Sequence, residues 1–133
     1  MFKRFHDSRI PDKAFNAQLG KCLKWQWECT RNLPAHRIPR EVWNKTEKRL
    51  KLLDPMFNTV NAKNHDAAAE QMVVLAGVAG MLINDVYISC PDYSNRNWRY
   101  LSDTTECFCN SYLFPLFPGA EEAATKLWMK VSS

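Results

Sequence analysis

The sequence is short of the features that announce catalysis. Only 4 of its 133 residues are glycine, and no glycine-rich phosphate loop is present. No pair of carboxylates sits on a recognisable scaffold, and Asp85 and Glu106 stand alone. No serine, cysteine or lysine nucleophile has a base beside it by sequence logic. His6-Asp7-Ser8 carries the letters of a triad. Adjacent residues in an extended arm point away from one another, and triads are assembled in space. Repeats and low-complexity tracts are absent as well, and strand-like alternation is confined to residues 86–88 and 97–101.

Cysteine is present but unorganised. Five irregularly spaced cysteines, an odd number, argue for reduced thiols rather than a disulfide framework. Cys107-x-Cys109 is tight, with Cys90, His65 and His36 as conceivable further ligands. Structural zinc sites draw on two pairs spaced two to four residues apart. Here there is one pair at the wrong spacing, and on a helix its members point about 200° apart. Small buried thiols are the better reading, so no metal and no cofactor are expected. Met1 to Lys13 is charged and has no apolar run of the secretory kind. The expected compartment is cytoplasmic.

What is there is a run of grease. Met72 to Ile83 is twelve consecutive apolar residues, and a helix apolar on every side must be buried on every side. Twelve residues rise only about 18 Å, short of the roughly 30 Å of a bilayer core. A span begun at Ala67 would place Glu70 and Gln71 in hydrocarbon. A core helix over about 66–88 is therefore expected, not a membrane anchor. Ala76, Gly77, Ala79 and Gly80 let neighbouring backbones come close, which offsets the roughly 1 kcal/mol that glycine costs in a helix. Close helix packing explains them; a ligand lying on Gly77 and Gly80 is the sharper alternative.

Amphipathic helices flank this rod. Over 12–30, Phe15, Leu19, Cys22, Leu23 and Cys29 share one side, with Trp25 and Trp27 at its edges and Lys13, Lys21, Lys24 and Glu28 opposite. The tryptophans are core edges or stacking platforms for bases. Gln26 falls within the apolar face and needs a hydrogen-bond partner if buried. Pro39 suits the start of a helix ending near Asp54-Pro55. Its buried stripe is Val42, Trp43, Thr46, Leu50 and Leu53. Glu41–Lys45 and Glu47–Lys51 are favourable i,i+4 pairs. Residues 56–63 read as a connection. A short helix over 94–101, a helix from about Thr104 to Leu113 led by the capping-box spacing Asp103 to Glu106, and a last helix over 120–131 complete the chain. An apolar loop, Leu116-Phe117, lies between Pro115 and Pro118. The expected fold is all-α: one compact domain, 1–133, of five or six helices around a central buried helix, with residues 1–11 as an N-terminal arm.

Charge is uneven. Residues 1–63 hold 14 basic and 6 acidic side chains, whereas residues 64–133 hold 4 and 8. Either the two halves attract each other across the fold, or one face is aimed at an acidic partner. The second reading is the leading expectation. Arg40, Lys45, Lys48, Arg49 and Lys51, with Lys21 and Lys24, form a basic helical face for nucleic acid, a nucleoprotein complex or an acidic protein surface. A small chain without chemistry of its own fits a regulator or inhibitor of a nucleic-acid machine, of the kind a phage or plasmid encodes.

Two other readings stand beside it. Arg31-Asn32-x-x-x-His36 resembles the Arg-(four to six)-His motif of HEPN ribonucleases over six residues, with Pro34 interrupting it. The resemblance implies a metal-independent ribonuclease in which Arg31 and His36 activate the RNA 2′-hydroxyl and stabilise the phosphate. Alternatively, Trp98, Leu116, Phe117 and Trp128 form an apolar patch of an assembly subunit.

Overall fold

The computed structural model describes residues 13–31, 38–62, 65–90 and 96–133. The N-terminal arm and His36 lie outside the described residues, as do the side chains of Trp25 and Trp98. Among the described residues every regular element is helical, so the fold is all-α. The helices are α1 (Lys13–Arg31), α2 (Arg40–Ala62), α3 (His65–Ser89), α4 (Arg96–Phe108) and α5 (Ala120–Ser132), with a π-helical turn (Cys109–Leu113) and a 3-10 turn (Phe114–Leu116) linking the last two.

The apolar rod is α3, and the other four helices pack against it. Met72, Val73, Val78, Ala79, Leu82, Ile83 and Val86 are fully enclosed. By length and composition Ala67–Ser89 could cross a membrane, yet more than half of it is covered by its own protein. The glycines are explained by packing. A Cβ on Gly77 would lie 2.8 Å from the Phe114 ring and 3.0 Å from the Ala124 methyl, and one on Gly80 would lie 3.0 Å from the Thr105 methyl. Helices α4 and α5 and the 3-10 turn thus approach α3 at positions where it has no side chain. That contact also docks the apolar loop: Leu116 and Phe117 pack against the core rather than projecting from it.

Two boundaries differ from expectation. Helix α2 continues through Pro55 to Ala62, where a break and a connection were expected. Proline forfeits one backbone hydrogen bond and crowds the preceding turn, at a cost of about 3 kcal/mol. Across it, Leu53, Phe57 and Val60 keep helical spacing and are all buried, which offsets that cost. Phe57 stacks on Trp27 with ring centroids 3.8 Å apart and planes within 5°. Trp27 is therefore interior, not a platform for bases. Second, α4 runs unbroken from Arg96 through Asp103. Asp103 is mid-helix, so it caps nothing; its carboxylate lies 3.8 Å from Arg99, one turn back.

The last helix begins where the sequence placed it. Gly119 takes the left-handed conformation, φ +92°, and its carbonyl accepts the first helical hydrogen bond from Ala123. Glu121 and Glu122 occupy the first turn and Lys130 the last, matching the helix dipole.

Candidate functional site

The outward stripe of α2 carries the expected cations, with one exception. Arg40, Lys45, Lys48 and Lys51 are exposed. Among the described residues, no carboxylate pairs with Arg40, Lys45 or Lys48. Lys51 meets Glu47 at 3.4 Å, which cancels its charge locally, whereas Glu41 stays apart from Lys45. Lys21 and Lys24 lie on the outward side of α1. Lys24 is one turn before Trp27, whose indole Nε1–H donates to the Asp54 carboxylate at 2.9 Å. Lys24 therefore flanks the seam between α1 and α2.

Arg49 does not belong to this face. It is 5% exposed and ion-paired with Asp85 of α3. Its guanidinium carbon sits 4.8 Å from the centroid of the Trp128 ring, and Nη2 reaches the Ser132 carbonyl at 3.5 Å. One side chain thus ties α2 to α3 and α5. This pair joins the basic and acidic halves of the sequence, so charge attraction across the fold accounts for part of the asymmetry. The helical spacing carried the signal: Arg49 is seven residues after Val42, three after Thr46 and four before Leu53, on the edge of the buried stripe.

Arg31 is held by Asp54 as well, at 3.4 Å. The carboxylate that anchors Trp27 also engages the arginine of the HEPN-like motif. Of the patch expected of an assembly subunit, Leu116, Phe117 and Trp128 are half-buried against the core, and the Trp98 side chain lies outside those described. Among the described residues the exposed large apolar side chains are Leu52, Ile88, Tyr100 and Met129.

One feature escaped sequence reasoning. Asp85, Glu106 and Glu121 come from three different helices and border one cleft of about 330 Å³, with Trp128 and Asn84. Among the described residues no three His, Cys, Asp or Glu side chains are placed to hold a metal. Cys109 forms part of that cleft wall, whereas Cys107 is exposed on the opposite side of the chain. Burial pushes the Cys109 thiol up to about 12, because an apolar setting disfavours the thiolate. That favours the protonated thiol over the nucleophilic thiolate near neutrality. No protein-family model, curated protein or solved structure matches this chain.

Proposed function

We propose that this protein is a small, non-enzymatic binding protein that engages an acidic macromolecule through the outward stripe of α2, acting as a regulator or inhibitor of what it binds. The observation that supports this most is the freedom of Arg40, Lys45 and Lys48, three exposed cations on one helix that pair with no carboxylate among the described residues. Lys51, Lys24 and Lys21 extend the same positive surface at its margins. Arg49 contributes by holding α2 in place, not by touching the partner. The stripe is rigid, because the opposite side of α2 is fixed by Leu50, Leu53 and Phe57, all fully buried. A backbone held in place loses little entropy on binding, which favours a fixed helix over a flexible tail.

The test is affinity as a function of salt, measured with duplex DNA, single-stranded RNA and polyglutamate in parallel. Each neutralised duplex phosphate contributes about −0.9 to the slope of log affinity against log salt. Three or four contacts then give a slope of roughly −3 to −4. Lys45→Glu with Lys48→Glu is expected to abolish the interaction while leaving the fold intact. Affinity that is flat across salt, or unchanged in the double variant, overturns the reading. A response to polyglutamate alone directs it to an acidic protein surface.

A further inference from the structure

Between α1, α3 and α4 lies a second kind of recess. Its volume is about 310 Å³, and its floor includes Leu23, Ile83 and Leu113, all at most 2% exposed. Tyr100, 74% exposed, and Thr104 stand at its rim, so the cavity opens on that side. None of the described lining residues carries a charge. This separates it from the acidic cleft on the other side of Cys109, and from the basic stripe of α2.

Two polar side chains that line this apolar space have no hydrogen-bond partner among the described residues. Thr105 is nine-tenths buried, with its methyl over Gly80. Among the described residues its hydroxyl makes no hydrogen bond, and neither does the side-chain amide of Gln26, which is half-buried on the facing helix. Thr30, on the same wall, is different: its hydroxyl donates to the Gln26 carbonyl at 2.8 Å. A buried polar group left unpaired is unfavourable. Water is a poor remedy. It can enter from the rim, but along Leu23, Ile83 and Leu113 it meets no polar side chain. An apolar cavity of about 150 Å³ already accommodates benzene, and this one is about twice as large.

We propose that this cavity is a binding site for a small neutral amphiphile, an aliphatic chain of about ten heavy atoms ending in one hydroxyl or carbonyl group. The chain would lie along Leu23, Ile83 and Leu113. The polar end would exchange hydrogen bonds with the Thr105 hydroxyl and the Gln26 amide. A carboxylate or ammonium end would be excluded, since no described residue could neutralise it. The proposal is independent of the basic stripe and holds whether or not that stripe binds an acidic partner.

The test is an NMR titration of the full chain with 1-octanol, octanoate and benzene. Saturable, submillimolar shifts are expected for 1-octanol at Leu23, Ile83, Leu101 and Thr105, with octanoate at least about tenfold weaker. Thr105→Val keeps the shape and removes the hydroxyl; Gln26→Leu does the same for the amide. Each is expected to weaken 1-octanol about fivefold or more while leaving benzene binding unchanged. Benzene is the control for a variant whose packing has been damaged. The proposal fails if 1-octanol gives no saturable shifts, or if they fall instead on Val74 and Leu127, which line a separate recess between α2, α3 and α5. It fails equally if octanoate matches 1-octanol, or if both substitutions leave the alcohol's affinity unchanged.

Discussion

Helices α2 and α3 lie side by side and were made by different rules. Helix α3 is apolar through its middle and enclosed by its neighbours, so its orientation is set by where those neighbours can come close, at Gly77 and Gly80. Helix α2 has two faces, and its orientation is set by the difference between them. Burial acts on α3 as a whole, whereas on α2 it sorts residues one by one. Lys48 and Arg49 are adjacent and equally charged, yet one is in solvent and the other is 5% exposed. The lesson is that charge alone does not mark a binding surface. The angular position of the charge relative to the buried stripe decides whether it faces a partner or its own core.

The contrast is broken most severely from the α3 side. Val78 is fully buried, and Val78→Asp places a carboxylate there without a partner. A loss above about 4 kcal/mol is expected, read as disappearance of the cooperative denaturant transition. A transition with an unchanged midpoint would mean that α3 is not the core. Gly77→Ala is milder. The added methyl gains about 1 kcal/mol of helix propensity but meets Phe114 and Ala124 at 3.0 Å or less. Overpacking costs about 1 to 3 kcal/mol, so a net loss of up to about 2 kcal/mol is expected in denaturant unfolding.

Much of this division was readable in advance. The twelve-residue apolar run specifies α3, and the stripe Val42, Trp43, Thr46, Leu50 and Leu53 specifies the inner side of α2. Pro55 was misleading because its local penalty is visible in sequence, while the burial of Phe57 and Val60 that offsets it is a tertiary effect. Asp103 misled for a related reason: cap spacing is a local signal, and it recurs inside helices where Arg99 is the available partner. Gln26 was noticed as a polar residue on an apolar face, but the cavity it faces needs α4 to be in place. The cleft bordered by Asp85, Glu106 and Glu121 has no sequence signature, since its members are 21 and 15 residues apart along the chain and meet only through packing around α3.

The gentlest probe perturbs nothing. Cys107 is exposed and Cys109 buried, two positions apart. Near pH 8, alkylation mapped by mass spectrometry is expected to modify Cys107 and spare Cys109, whose thiol stays protonated up to about 12. Equal labelling of both would mean that the link between α4 and α5 opens readily.

The most direct measurement is denaturant unfolding of Arg49→Ala beside Lys48→Ala. Removing the guanidinium leaves the Asp85 carboxylate unpaired beside Trp128, and its partial exposure, 23%, moderates the penalty. A loss of about 2 to 3 kcal/mol is expected, against less than about 0.5 kcal/mol for Lys48→Ala. Equal, small losses from the two variants would place Arg49 on the surface with its neighbour and contradict the account.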